Sequence, residues 1–362
     1  MRKKYSAGKL SLLIAELIIL MVILLNLFYL YPAKEAEQAK QQESAQAKAE
    51  LSQGQATLQR TADADQLSEN TTSDTSEALA AKASVSADSA GTGAETGRVY
   101  SLFKVVDVTA RQGICASSDY YYVSSSKSLA KYDKNWNLIT ENTDPFAYGF
   151  DLPVNHIGDL DVSGSYLYCV VEKFSQGKAE NRQIALYDAN TLQLVSLFSI
   201  DAESGQTECA GICVNEEENT LISCEWGYDE SAKYLYKYDL STGAFLESIY
   251  MENAPSQIQG VAYYDGSYYI SADDGDADSG QEDHIYKLSL SEDGTASLNT
   301  EKGIAEVTKQ GEIEGLSFDE SRKQLLVLYN YGQRIVNGVK YDFYDGYGEE
   351  EHKVYLYSFH QL

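Results

Sequence analysis

Hydrophobic and polar positions along this chain fall into three regimes. From Leu10 to Tyr31 there is no alternation: the run LSLLIAELIILMVILLNLFYLY carries a single charge, Glu16. At about 1.5 Å per residue a helix of this length covers a ~30 Å hydrocarbon core, which predicts a transmembrane helix over 10–31. A cleaved signal peptide would have a shorter apolar core followed by a small-x-small site, so the run reads as an uncleaved signal anchor. Arg2, Lys3, Lys4 and Lys9 precede it. The positive-inside bias then leaves residues 1–9 as a cytoplasmic tail and exports everything after the span, giving a single-pass cell-membrane protein with an extracellular C-terminal domain. Glu16 lies toward the cytoplasmic end, where a carboxylate can snorkel or protonate at lower cost.

The second regime, residues 32–98, has almost no apolar stripe. Its first half is rich in Ala, Glu, Gln and Lys, which favour helix, but Leu51 and Leu58 alone cannot form a coiled-coil seam. Its second half turns to Ser, Thr, Ala, Asp and Gly, a composition that buries too little apolar surface to order itself. The segment reads as a low-complexity extracellular spacer, partly helical and partly disordered.

From residue 99 to 362 the period becomes two. Two short patterns alternate. The first is a Gly followed by an aliphatic residue: Gly113-Ile114, Gly211-Ile212, Gly260-Val261 and Gly315-Leu316, with Gly158-Asp159-Leu160 as a looser fifth copy. Each leads into a second apolar run: YYYVS, YLYCVV, TLISCEW, SYYIS and QLLVLY. The other pattern alternates up to a Tyr, as in SLAKYD, QIALYD, YLYKYD, HIYKLS and KVYLYS, and in the first three an Asp then opens a polar turn. These are strands with turn chemistry between them. Successive Gly positions are 45, 53, 49 and 55 residues apart, the length of a four-stranded propeller blade. The last repeat supplies three strands, and VYSLFKVVDV (99–108) is left over ahead of the first, so ring closure by that strand is expected. The fold class predicted is all-β, a five-bladed β-propeller. Six blades would require a degenerate one between Asn137 and Asn155. The glycines themselves need no function, because inner strands crowd at a propeller axis.

On these repeats, notably Ile313-Glu314-Gly315-Leu316-Ser317-Phe318-Asp319 and Gln259-Gly260-Val261-Ala262-Tyr263, residues 99–362 resemble the bacterial propellers of the SdiA-regulated, phytase-like and NHL-type group. They also resemble, more weakly, the five-bladed glutamine cyclotransferases. The resemblance implies a fold. The cyclotransferases' Tyr-Glu-Ser-Thr-Gly segment is missing; its nearest counterparts are Tyr168-Cys169-Val170-Val171-Glu172 and Ser223-Cys224-Glu225-Trp226.

Charge narrows the partners. The chain has 28 Lys and Arg against 55 Asp and Glu, a net charge of −27. Residues 1–32 hold four cations and one acid, residues 33–98 six and eleven, and residues 99–362 hold 18 and 43, so the acidity belongs to the repeat domain. Nucleic acid is excluded as a partner, since its binding rests on cationic side chains. Cations or basic partners are favoured. If inner strands begin near the glycines, a channel mouth gathers Gln112, His156, Asp159, Asp161, Glu208, Gln259 and Glu314. Converging carboxylates raise one another's pKa unless a cation joins them. Ca²⁺ would be one such cation, and an acid and base pair of glycosidase type another use of the same groups. Solvated loop carboxylates are the plain alternative.

Asp274, Asp276 and Asp278 have the i, i+2, i+4 spacing of a calcium loop, but position twelve is Ile285. The match is partial, and a solvated hairpin tip is the preferred reading. Trp226, Tyr228 and Tyr344 occupy long inter-strand loops suited to a glycan or peptide. The five cysteines fall at strand positions and read as small buried hydrophobes, with Cys213 and Cys224 the first pair to consider for a disulfide. No P-loop, G-x-S-x-G, H-E-x-x-H or dinucleotide fingerprint is present. The function expected is a membrane-anchored binding or interaction module for a cation, glycan or peptide at the mouth. The alternative is a surface enzyme on the same fold, cyclotransferase-like or a carboxylate-based glycosidase.

Overall fold

The computed structural model describes residues 98–361 except 176, 277–279, 292–294, 308–310 and 337–338. The predicted anchor at 10–31 and the spacer up to residue 97 lie outside the described residues. Among the described residues no helix is long and apolar enough to cross a membrane.

The described chain is all-β and propeller-like. Four sequential strands form each of the first four antiparallel units. Unit I is β2 (Gly113–Ala116), β3 (Tyr120–Ser125), β4 (Ser128–Asp133) and β5 (Leu138–Asn142). Unit II is β6 (His156–Ser163), β7 (Tyr166–Ser175), β8 (Lys178–Asp188) and β9 (Leu194–Ser199). Unit III is β10 (Gly211–Asn215), β11 (Thr220–Cys224), β12 (Tyr234–Asp239) and β13 (Phe245–Glu252), and unit IV is β14 (Ile258–Tyr264), β15 (Ser267–Ala272), β16 (His284–Leu290) and β17 (Ala296–Gly303). Unit V takes β18 (Gly311–Asp319), β19 (Gln324–Tyr331) and β22 (Glu351–Gln361), and its fourth strand is β1 (Arg98–Asp107) from the other end of the domain. A separate hairpin, β20 (Gln333–Val336) with β21 (Val339–Phe343), is inserted between β19 and β22.

The first strands form a cycle: β2 lies against β6, β6 against β10, β10 against β14, β14 against β18 and β18 against β2. Units III and IV also join at their outer strands through two parallel pairs, Met251 with Ala296 and Glu252 with Ser297. Because β10 and β14 adjoin as well, this eight-stranded sheet is nearly closed on itself. Residues 137–155 contain β5 and a loop whose Phe146 and Phe150 pack edge to face, 5.6 Å apart, against the unit I and II side chains; they form no further unit.

Burial explains the sequence pattern. The second strand of a unit is covered on both faces, and β11 (TLISC) and β19 (QLLVLYNY) are buried throughout, hence their unbroken apolar runs. The outer strand β9 reaches solvent and reads as a mixture. Apolar side chains gather in five clusters, each between two neighbouring units, so every unit is stabilised by both neighbours. The Tyr-Asp turns also have a direct cause. The Oδ1 atoms of Asp133, Asp188 and Asp239 each accept two backbone N–H groups of the following turn at 2.8–3.0 Å. All five cysteines are buried and free. Cys213 pairs across the sheet with Ile222 and Cys224 with Gly211, two places out of step, so the anticipated disulfide is not formed.

Closure of the ring depends on Arg98, the first residue of β1 and only 5% exposed. Its Nη2 pairs with Asp265 of unit IV at 2.6 Å, its Nη1 donates to Tyr269 Oη, and the rings of Tyr264 and Phe359 lie 5.2 and 5.5 Å from the guanidinium. Tyr100 of the same strand donates to the buried Glu301 at 2.5 Å. Truncation leaves Glu301 without its nearest cation, so Arg98→Ala is expected to cost about 2 kcal/mol, discounted because Asp265 is well exposed. Urea unfolding checks this: the midpoint falls with an unchanged slope if β1 is merely loosened.

Candidate functional site

The inner strands approach so closely at the axis that side chains are excluded. A Cβ added to Gly113 would stand 2.4 Å from Asp159 Oδ1; one on Gly315 would be 2.8 Å from Gly113 Cα; one on Gly260 would be 2.9 Å from Gly315 Cα; and one on Gly211 would be 3.0 Å from Gly260 Cα. The fifth position in this layer is Asp159, not Gly158. Its carboxyl fills the space that the four glycines leave. Leu160 N–H donates to Oδ1 at 2.9 Å, the N–H groups of Val261 and Ile212 lie close by, and Oδ2 has no hydrogen-bond partner of normal geometry. Burial, followed by the neighbouring Asp161, pushes this carboxyl well above the usual range.

The axial layer separates the seven predicted mouth residues. Gln112, His156, Glu208, Gln259 and Glu314 lie at the end where the inner strands start. Asp159 closes the axis. Asp161, two residues further along β6, opens instead into a cavity at the opposite end.

At the starting end, Gln112 Nε2 donates to Glu314 at 3.3 Å and Gln259 Nε2 to Glu312 at 3.2 Å. Glu208 accepts the Trp226 N–H at 2.6 Å. His156, beside the Phe174 ring, is held down to about 4, first by burial and then by Arg111 and Lys127, so it is neutral. Four carboxyls here went unpredicted: Glu172, Glu225, Asp273 and Glu312. Three of them share a signal in the sequence, since Glu172, Glu225 and Asp273 each terminate a second apolar run, and Asn330 stands at the matching place in unit V. Glu172 accepts the Cys209 N–H at 3.0 Å, and Glu225 accepts the N–H and hydroxyl of Thr207 at 2.5 and 2.9 Å. Three cations face this set: Arg111, paired with Glu350 at 3.4 Å, Arg182, which donates to the Thr207 carbonyl, and Lys340, which acts on Glu312 and is itself paired with Glu350.

The cations do not neutralise the carboxyls. Glu172, fully buried, is raised to about 8, chiefly by burial. Glu208 is raised well above its usual value by burial and then by Glu172, Glu314 by burial and then by Glu312, and Asp273 by burial and then by Glu312 and Asp283. Oε1 of Glu172 and Oε1 of Glu314 are buried without partners.

Of the aromatic residues, Trp226 and Tyr228 form an edge-to-face pair 6.3 Å apart beside Glu208. Tyr344 sits on the excursion of unit V, its N–H donating to Gly332 O. Only part of the calcium-loop spacing falls on described residues. Asp274 is occupied by the His284 ring at 2.9 Å and by the hydroxyl of Tyr286, Asp276 pairs through its backbone with Gln281, and Asp278 lies outside the described residues. Among the described residues no group of three or more His, Cys, Asp or Glu is arranged to hold a metal ion.

No protein-family model matches the chain, and no curated protein matches it in sequence. Among solved structures it is similar to a gluconolactonase from Xanthomonas campestris, with 11% identity, 66% of this chain and 68% of that one covered, and a TM-score of 0.38. It is similar to a protein of unknown function from Bacteroides caccae (10% identity, 60% and 69% covered, TM-score 0.37). A third is a structural genomics protein of unknown function from Bacteroides thetaiotaomicron (11% identity, 72% and 72% covered, TM-score 0.41). Likeness this distant assigns no activity.

Two expectations follow. Gly315→Ala places a methyl against the backbone of Gly113, which cannot yield as a flexible side chain would, and should cost about 3 kcal/mol in denaturant unfolding. The raised carboxyls have folded pKa values above their unfolded ones, so the folded chain keeps protons that the unfolded chain has released. Their stabilising effect is full below the unfolded Glu value of 4.5 and is lost as pH rises toward about 8, the folded value of Glu172. The thermal midpoint should therefore fall between about pH 5 and pH 8, and Glu172→Gln should lessen the fall. A midpoint that rises across that interval contradicts the assignment.

Proposed function

We propose that the chain is a membrane-anchored, extracellular five-bladed β-propeller acting as a binding module, and that its carboxylate-lined mouth takes the ammonium or guanidinium groups of a basic peptide segment. The observation carrying this reading is the pair of buried, unpartnered carboxyl oxygens, Glu172 Oε1 and Glu314 Oε1, among carboxyls that outnumber the three facing cations. An arriving cation would supply the missing charge and lower the raised pKa values, so binding would release protons. Trp226 and Tyr228 beside Glu208 offer flat faces for the apolar stems of Lys or Arg.

Metal binding at the mouth has less support, given the lack of a metal-holding group among the described residues. So does glycosidase chemistry, which needs its two carboxyls to flank a sugar-sized space. The large cavity lies at the other end of the axis, lined by Asp161 and not by Glu172, Glu208 or Glu314.

The test is calorimetric titration of the full-length chain in detergent micelles with a Lys- and Arg-rich peptide and a neutral peptide of equal length. The basic peptide should bind more tightly, with proton uptake by the buffer, and Glu208→Gln and Glu314→Gln should each weaken it about tenfold. Equal binding of both peptides, or wild-type affinity in both variants, removes the proposal. A thermal midpoint raised by millimolar Ca²⁺ and competition with the peptide would replace it with a metal site.

A further inference from the structure

The end of the axis opposite the mouth holds a cavity of about 1320 Å³ to which all five units contribute. Its position follows from the inner strands: the residues that come after the axial layer, Ile114, Leu160, Val261 and Leu316, form its floor, and the turns into the second strands form its rim. Directly against that floor stands the axial carboxyl. Asp159 is 1% exposed with an unpartnered Oδ2, and the N–H groups beside it belong to Leu160, Val261 and Ile212, of which the first two line the cavity.

Charge around the cavity is unbalanced in a specific way. Of its two cations, Arg98 is paired with Asp265 and donates to Tyr269, and Lys323 lies against the ring and hydroxyl of Tyr264, which do not offset its charge. Asp319 is paired with Lys134 at 2.8 Å. Four further lining carboxylates outnumber the one cation left uncompensated. Asp161 accepts the N–H groups of Val162 and Val214 at 2.8 Å each, Glu216 accepts from Ser163 at 2.5 Å, Glu217 accepts from Tyr263 at 2.8 Å, and Glu320 lies on the rim. Asp161, Glu216 and Glu217 gather where units II and III meet, and Glu320 stands apart from them on unit V. One wall between them is aromatic, with Tyr264 stacked on Phe318 at 4.4 Å and 8° and Phe359 edge-on to both.

We infer that this cavity is a second binding site, independent of the mouth, for a linear aliphatic oligoamine of the spermine type. A single point charge cannot reach both the carboxylates at the junction of units II and III and Glu320 on unit V, whereas ammonium groups spaced along a flexible chain can. The methylene segments between them match the aromatic wall, and each ammonium near a ring gains a cation–π contact. A divalent metal fits poorly, since no group of three or more ligating side chains converges among the described residues. The volume exceeds the roughly 300–1,000 Å³ of ordinary small-ligand pockets, which suits a long ligand better than a compact one. Charge on the whole domain adds attraction on approach but no selectivity, so selectivity must come from the spacing of these carboxylates.

Titration of the full-length chain in detergent micelles at pH 7.5 with spermine, propylamine and Mg²⁺ at matched ionic strength tests this. Spermine should bind with one-to-one stoichiometry, and both propylamine and Mg²⁺ should bind at least about thirtyfold more weakly. Asp161→Asn should weaken spermine about tenfold. Because Asp161 also secures two backbone N–H groups, Glu320→Gln on the rim serves as the second variant, with a loss of about threefold and an unchanged thermal midpoint. Because the mouth as proposed above would itself take ammonium groups, the titrations are repeated with Glu208→Gln and Glu314→Gln combined, and the one-to-one spermine site should persist in that chain and be lowered there by Asp161→Asn and by Glu320→Gln. The inference is overturned if Mg²⁺ matches spermine, if propylamine does, if neither cavity variant lowers affinity, or if spermine binding vanishes with the two mouth substitutions; loss of peptide binding alone bears only on the mouth.

Discussion

Five strands meet at one axis with room for a single side chain, and most of the structure follows from that limit. Four of the positions are glycine because a Cβ would stand 3.0 Å or less from backbone or from the Asp159 carboxylate. The fifth is Asp159, whose carboxyl occupies the space the glycines vacate. A charge in so confined a place is costly, and burial accordingly raises the pKa of this carboxyl. The axial layer therefore does two things at once: it sets how closely the units pack, and it stands between the two ends of the axis.

That division gives the two ends different characters. On the side where the inner strands begin, the carboxyls come from two kinds of position, ahead of or at the start of an inner strand for Glu208, Glu312 and Glu314 and at the end of a second strand for Glu172, Glu225 and Asp273. Strand pairing sets the two kinds of position opposite each other, as in the register of His156 with Glu172 and Glu312 with Asn330. Burial then raises their pKa values one upon another. On the far side the inner strands diverge, and the same acidic composition lines an open cavity edged with aromatic rings. Acidity is a property of the whole domain, but what it can do depends on which side of Asp159 it falls.

Stability is distributed in keeping with this geometry. With nothing but glycine and one carboxyl at the centre, no central apolar core can exist. The apolar side chains are displaced into five clusters between units, and each unit is held from both sides. Such an arrangement is only as firm as its last interface. β1 completes unit V from the opposite end of the domain, and Arg98 fastens it to unit IV through Asp265 and Tyr269.

The repeat was legible in the sequence because its causes are local. Period-two alternation, the Tyr-Asp turns and the spacing of Gly113, Gly211, Gly260 and Gly315 each reflect a constraint acting within a few residues, and they fix the number of units and the closure by 99–108. Three mouth carboxyls could have been found the same way, from the acid that ends each second run. What the sequence could not supply is which side of the axis a residue faces. Asp159 and Asp161 look alike in the string Gly158-Asp159-Leu160-Asp161, yet one is the axial plug and the other lines the far cavity. Cys213 and Cys224 sit on adjacent strands, yet their register separates them. Asp274 has calcium-loop spacing, yet its oxygens are taken by His284 and Tyr286, which only the pairing of β15 with β16 brings near. Sequence determines periodic strands because their pattern is set by neighbours along the chain, whereas sites are set by strands that meet only when the ring closes.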